Sequence, residues 1–368
     1  MPKQEENFMN NAYAVILAGG SGERFWPLST KSRPKQFISL FSGKPLLSLA
    51  VERLEGLIST ERIFIITADR LVEDTAAAAR NIPRCNIIGE PCKRDTAPAI
   101  AVACGLIKQR DPDGVVCILT ADQLMSDVGT FRQTLLDSIE FAASNNAIVT
   151  MGIEPTYPAT GFGYIQAGET VANESSTVFN KSMGFVEKPD EDKALQYLNS
   201  GNYFWNAGMF IWSIKVMSDA LKNFAPDLSK LCEAVAACES CEEQDEVLAD
   251  FYPTLRAISI DYAVMEQVDN IVMARGAFGW DDVGSWPAVA GHFAEDMNGN
   301  VVIGSCEQMD CNNNIVISED RLTALIGVNG LVVVHSDNAT LICPRDRAEQ
   351  VKKLIRRIAA RPDGEKYI

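Results

Sequence analysis

Residues 17–36 hold the densest set of groups suited to gripping an anion. The run Leu17-Ala18-Gly19-Gly20-Ser21-Gly22 places three glycines where backbone N–H groups can turn toward a phosphate and let it come close. Arg24, Lys31, Arg33 and Lys35 follow, four cations within twelve positions of a chain whose net charge is −16. Together they suit a polyphosphate. The run is not a P-loop, because no Gly-Lys-Ser/Thr follows. It also lacks the dinucleotide fingerprint: Phe25 stands where a third small residue belongs, and no acid lies about twenty positions on.

Two acids are placed to meet such an anion through a metal ion. Asp122 follows the apolar run 115–119, and Asp282 lies in Gly279-Trp280-Asp281-Asp282-Val283-Gly284. Carboxylates are hard oxygen ligands, and Mg²⁺ usually takes one or two of them plus phosphate oxygens and water. Each acid can also be read as a turn or helix N-cap residue, and spacing alone favours that reading for Asp282, 160 positions from Asp122. Glu187-Lys188-Pro189 and Phe204-Trp205-Asn206-Ala207-Gly208-Met209 join directed donors and acceptors to aromatic faces, a combination suited to hydroxyl-rich ligands. A strand-end turn and an aromatic core are the alternative readings. Cys104, Cys117 and Cys343 sit inside apolar runs and read as reduced thiols. Cys238 and Cys241 have metal-ligand spacing, but their acidic helical surroundings offer no His and too few ligands for zinc.

The elements that must position these groups alternate. Apolar runs at 13–17, 62–67, 86–88, 115–119 and 147–151 are expected strands; helical patterns at 46–57, 71–80, 97–108 and 131–143 separate them. That alternation predicts βαβ units, an α/β fold and a parallel sheet with ligands at the strands' carboxyl ends. Residues 154–184 read as loop and extended segments, 205–212 as extended, 216–250 as mostly helical, 271–274 as a strand and 285–293 as a helix. Beyond 298, short β-branched runs at 301–303, 315–317, 323–326, 331–335 and 339–342 are separated by Asn, Asp and Gly, and a basic helix is expected over 347–359. The expected domains are 1–297, with halves at 12–150 and 151–297, and a small β domain at 298–368.

With 368 residues, 47% of them hydrophobic, the chain can bury a sizeable core. An excess of acids argues against nucleic-acid binding, and no apolar run is long enough to span a membrane. The first eleven residues are polar and read neither as a secretory signal nor as a transit peptide.

The loop and its continuation, Gly22-Glu23-Arg24-Phe25-Trp26-Pro27-Leu28-Ser29 and Pro34-Lys35-Gln36-Phe37, resemble the sugar-nucleotide pyrophosphorylase family, on its mannose-1-phosphate guanylyltransferase branch. So do Gly89-Glu90-Pro91, Asp95-Thr96-Ala97-Pro98, Gly161-Phe162-Gly163-Tyr164, Phe185-Val186-Glu187-Lys188-Pro189, Trp205-Asn206-Ala207-Gly208, Ile260-Asp261-Tyr262 and the 280–286 stretch, in family order over about 13–290. The resemblance implies a Rossmann-like nucleotidyltransferase domain with a mostly parallel sheet and a small C-terminal β-helix-like domain. It implies GTP plus mannose 1-phosphate giving GDP-mannose and pyrophosphate, by in-line attack on the α-phosphorus with Mg²⁺ or another divalent cation. The alternatives are the same chemistry with another hexose 1-phosphate or nucleotide, or a silent nucleotide-sugar-binding regulatory subunit.

By the same resemblance, Arg24, Lys35, Asp122 and Asp282 are the catalytic set, with Asp122 and Asp282 on the metal. Leu17, Ala18, Gly19, Gly20, Ser21, Gly22, Glu90, Thr96, Ala97 and Pro98 bind nucleotide. Gly163, Tyr164, Glu187, Lys188, Asn206, Gly208 and Asp261 bind sugar phosphate. The family's Ala-Asp-His is here Ala121-Asp122-Gln123, so the aspartate is kept and the His role is not. A cytoplasmic homodimer, without a fused isomerase half, is expected.

Overall fold

The computed structural model describes residues 11–20 and 22–368; Ser21 of the glycine run lies outside them. These residues form two compact units, each assembled from separate stretches of chain.

The first unit holds residues 11–19, 50–121 and 125–280. Its nine strands are β1 (Ala12–Ala18), β2 (Ile63–Ala68), β3 (Ile87–Glu90), β4 (Val115–Thr120), β5 (Ile148–Ile153), β6 (Tyr164–Val171), β7 (Phe179–Val186), β8 (Tyr203–Ser213) and β9 (Ile271–Gly276). They form one sheet in the order β3-β2-β1-β4-β8-β5-β9-β7-β6. β1 pairs in parallel with both β2 and β4, and β2 with β3. These strands are nearly continuous apolar runs because helices cover both faces of such a sheet. β8 then runs antiparallel to β4 and β5. The half of the sheet beyond β4 is therefore mixed, a feature that apolar runs alone do not announce.

The helix Thr96–Arg110 is buried along most of its length, and its first N–H is capped by the Asp95 carboxylate at 2.9 Å. It packs on helix Pro226–Ala236 so closely that a Cβ on Gly105 would lie 2.6 Å from the Cys232 carbonyl. Any larger residue there would push the helices apart. The helix Val128–Ser144 is capped by Asp127. On that helix, buried Asp137 accepts hydrogen bonds from the Thr177 backbone N–H and hydroxyl and from Ser176.

The second unit holds residues 20–49, 122–124 and 281–368, less Ser21. Four strands, β10 (Val301–Met309), β11 (Ile315–Ile326), β12 (Leu331–His335) and β13 (Thr340–Pro344), lie in that order. The first three are parallel, and β13 is antiparallel to β12. Val301, Ile315 and Val332 stack in register, as do Ile303, Ile317 and Val334. Asparagines stack beside them: the Asn314 amide donates to Asn300 Oδ1 at 3.0 Å, and Asn314 Oδ1 accepts from Leu331 N–H at 3.0 Å. The runs expected separately at 315–317 and 323–326 are instead parts of one strand, β11, with a register shift opposite Gly304 and Cys306.

The apolar core of this unit joins residues from both sides of 297/298. Phe25, Trp26, Ile38, Leu40 and Phe41 share one apolar core with Trp286, Val301, Ile315, Val332, Val351 and Ile355. Burial joins whichever apolar faces meet, regardless of their separation in sequence. The expected C-terminal helix begins later, at Val351–Ala359, after a 3₁₀ stretch, Arg345–Gln350. Among the described residues no helix is long and apolar enough to cross a membrane, and all ten cysteines are unpaired thiols.

Candidate active site

In the second unit the backbone is forced into a turn at Gly22, with φ +59°. A Cβ there would lie 2.5 Å from Lys35 Cβ and 2.7 Å from Lys35 N. Only glycine allows this approach, and the approach seats Lys35 in the interior at 5% exposure. Lys35 Nζ donates to Asp122 Oδ2 at 3.0 Å and to the Asp282 carbonyl at 2.6 Å. One buried cation thus ties together two acids 160 positions apart in the chain. Arg24 is exposed at the rim of the same cavity, of about 190 Å³, which Lys35, Asp122, Asp282 and Lys352 also line.

Burial pushes the Asp282 carboxyl up to about 6; Lys35 opposes the shift, while the charges of Asp122 and Asp281 add to it. Neighbouring Asp281 ends below its ordinary value: burial acts against this, but His292 Nε2 at 2.7 Å and the Val283 N–H at 2.6 Å hold the charge. Val283, between these acids and Gly284, has φ +47°, a strained state for a β-branched residue and one that recurs at functional sites.

A separate polar cluster lies in the first unit. β8 meets β5 with a register shift between Thr150 and Gly152, and Asn206 sits opposite Gly152. Asn206 Nδ2 donates to Asp261 Oδ1 at 3.1 Å, and Asn206 Oδ1 accepts from Gly208 N–H at 3.0 Å and from the Thr150 hydroxyl at 3.3 Å. Asn206 N–H donates to the Gly163 carbonyl at 2.8 Å. A Cβ on Gly163 would lie 2.7 Å from Glu187 Oε2, so the glycine lets that carboxylate approach. Glu187 Oε1 accepts from Lys188 Nζ at 2.6 Å, and Lys188 has φ +44°. Asp261 opens a π-helical turn, Asp261–Met265. Burial, then the charge of Glu187, pushes its carboxyl up to about 6.

Also in the first unit, Glu90 at the end of β3 accepts a hydrogen bond from the Tyr252 hydroxyl, and burial raises its carboxyl above the ordinary value. Thr96 Oγ1 accepts from Ile260 N–H at 2.9 Å, joining the Thr96–Arg110 helix to the segment that carries Asp261. Gly19 leaves the carboxyl end of β1 with Glu90 Oε2 3.5 Å from where a Cβ would be.

A family model described as nucleotidyl transferase matches residues 13–298, and a MannoseP isomerase/GMP-like beta-helix domain matches 304–358. The chain belongs to the nucleotidyl transferase family. It is 38% identical to a mannose-1-phosphate guanylyltransferase of Salmonella typhimurium, over 93% of this chain and 71% of that protein. It is 36% identical to a mannose-1-phosphate guanylyltransferase of Escherichia coli K12, over 95% of this chain and 73% of the relative. A solved structure from Thermus thermophilus, described as a mannose-1-phosphate geranyltransferase, superposes with a TM-score of 0.84 at 34% identity, covering 95% of this chain and all of that one.

Within this nucleotidyl transferase fold, several residues singled out in the sequence stand elsewhere than expected. The four cations after the glycine run diverge. Lys31 pairs with Glu365 at 2.9 Å, and Arg33 lines a different cavity, beside Arg321 and Lys366. The loop reverses between these positions, so nearness in sequence does not place their side chains together. Tyr164 is fully buried, with its hydroxyl donating to the Ala159 carbonyl at 2.9 Å. Ala97 and Pro98 are buried in the first turn of their helix. Leu17 and Ala18 are β1 residues, and a ligand would meet their backbone. Lys352 was missed: its place in a basic helix far along the chain carries no sign of a site.

The donor set fits a divalent cation. Asp122 and Asp282 are two hard carboxylates; burial, and after it the charges of Asp122 and Asp281, raises Asp282 against the pull of Lys35, and a divalent ion would favour its charged form. Among the described residues no group of three or more His, Cys, Asp or Glu could hold a metal. Mg²⁺ usually takes one or two carboxylates and completes its shell with phosphate oxygens and water.

Proposed function

We infer that the protein transfers a guanylyl group from GTP to mannose 1-phosphate, giving GDP-mannose and pyrophosphate. The observation that carries this reading is the Lys35–Asp122–Asp282 cluster behind the Gly22 turn, in a chain with such relatives. A sugar-phosphate oxygen bonds to the α-phosphorus of GTP, and the bond from that phosphorus to the bridging oxygen breaks, leaving pyrophosphate. The attacking phosphate is already an anion at pH 7, so no Ser, Cys or His need be activated. Catalysis is then positioning and charge neutralisation.

The backbone over Gly19–Gly22 and the exposed Arg24 take the triphosphate. Lys35 holds the Asp122 carboxylate by a charge-assisted hydrogen bond and pins the Asp282 backbone. Asp122 and Asp282 would hold Mg²⁺, which supplies neutralisation of charge on the phosphate oxygens. Glu90 accepts from the guanine N1–H and N2–H groups, which adenine lacks. Asn206, Asp261 and Glu187 hold mannose hydroxyls beside the Gly163 and Gly208 backbone, and Lys188 meets the sugar's phosphate.

Val302, Met309, Leu322, Ile326 and Ile342 expose apolar side chains on β10–β13, with Ile326 at 69%. This supports a homodimer formed through that sheet, and a monomer in sedimentation at every concentration would exclude it. Ten unpaired thiols suit a reducing, cytoplasmic compartment.

The test is a panel of nucleoside triphosphates and sugar 1-phosphates with pyrophosphate as readout. GTP with mannose 1-phosphate and Mg²⁺ is expected to turn over fastest, and chelator to stop it. Faster turnover of another pair refutes the stated specificity. GDP-mannose binding with no turnover on any pair refutes the transferase reading.

A further inference from the structure

The cavity at Gly22 receives a side chain from a part of the chain that no functional reading has used. The helix Val351–Ala359 is fixed by Val351 and Ile355, one turn apart, in the same apolar core that holds Phe25 and Trp26. That anchorage directs Lys352 into the cavity lined by Arg24, Lys35, Asp122 and Asp282. Its Nζ stands 3.8 Å from the Glu23 carboxylate, and both side chains remain substantially solvated, at 50% and 40% exposure.

A pair that long and that exposed contributes little to folding, so stability does not explain the placement. Electrostatics does. Lys35 is already engaged by Asp122 and by the Asp282 carbonyl. Glu23 adds a negative charge at the mouth of a cavity meant for an anion. Lys352 offsets that charge and, on a flexible stem with three donors, can reach a phosphate oxygen.

We propose that Lys352, from the helix after the β10–β13 sheet, is a triphosphate-binding residue of this nucleotidyl transferase, which makes the C-terminal region part of the substrate site. The proposal rests on the reading of the Gly22 cavity as the triphosphate site. Its contribution is a charge-assisted contact that a second cation at Arg24 does not replace.

The experiment measures equilibrium binding of GTP with Mg²⁺, without sugar phosphate, to the full-length chain and its variants. Lys352→Met is expected to weaken binding about ten-fold, with the melting temperature unmoved and a shallower dependence of affinity on salt. Lys352→Arg is expected to stay within about three-fold of wild type, and Glu23→Gln to bind as tightly or more tightly. Equal binding by wild type and Lys352→Met overturns the proposal. So does a Glu23→Gln protein that loses affinity as Lys352→Met does, since Lys352 would then act only by holding Glu23. A wild-type protein that binds no GTP at all refutes the guanylyl reading itself, a distinguishable result.

Discussion

Replacing Asp261 with Asn should make the protein more stable and a poorer enzyme. The carboxyl is pushed from its ordinary 3.8 up to about 6 by burial and then by Glu187. The folded chain therefore holds this proton more tightly than the unfolded chain does. Stability is fullest below about pH 4, falls as pH rises toward 6, and is level above that. Two pH units correspond to roughly 3 kcal/mol at about 1.4 kcal/mol each, and solvent access to a half-buried group reduces this to about 1–2 kcal/mol. Asn has no proton to exchange, and its Oδ1 still accepts from Asn206 Nδ2, the bond now 3.1 Å long. Denaturant melts of both proteins from pH 4.5 to 8 should coincide at the acid end and separate as pH rises, with Asp261→Asn the more stable. The same variant should raise KM for the sugar phosphate at least about ten-fold, because a buried carboxylate is the stronger acceptor for a hydroxyl. Parallel stability profiles at all pH values, or a variant less stable at pH 7.5, would refute the reasoning.

Gly22→Ala should abolish turnover and destabilise the second unit by about 2–4 kcal/mol, whereas Gly43→Ala, at φ +66° with open space around it, should cost about 1 kcal/mol; calorimetry of both decides, and equal losses would argue against the Lys35 clash. Glu90→Gln should lower the preference for GTP over ATP, as a ratio of kcat/KM, by about ten-fold or more, and an unchanged ratio would remove Glu90 from base recognition. Asp122→Asn should lose pyrophosphate release by at least about 100-fold at saturating Mg²⁺, with near-wild-type turnover counting against its metal role.

Local chemistry alone made much of the protein legible. The apolar runs of β1, β2 and β4 marked their own positions, because strands covered on both faces need no partner to be recognised. The helical pattern at 97–108 marked its helix, and the Gly-rich run marked the turn at Gly22. Short β-branched runs separated by Asn, Asp and Gly signalled a β unit after residue 298. Side-chain direction was not written in the same way. Lys31, Arg33 and Lys35 are near neighbours in the chain, yet the loop's reversals send them to Glu365, to another cavity and to Asp122. Tyr164 and Asn206 both sit in motif-like runs, but the strand pleat buries one hydroxyl while the β5–β8 register shift frees an amide to face Asp261.

By itself the sequence determined the alternating α/β elements, the β-rich C-terminal region and the residue types available for phosphate and sugar, since each depends on neighbours a few positions apart. Tertiary structure alone decided that Asp122 and Asp282 meet across Lys35, that segment 20–49 packs with the C-terminal strands, and that Lys352 enters the cavity. The reason is physical: burial of apolar faces joins segments hundreds of residues apart, and the polar groups they carry are brought together only as a consequence.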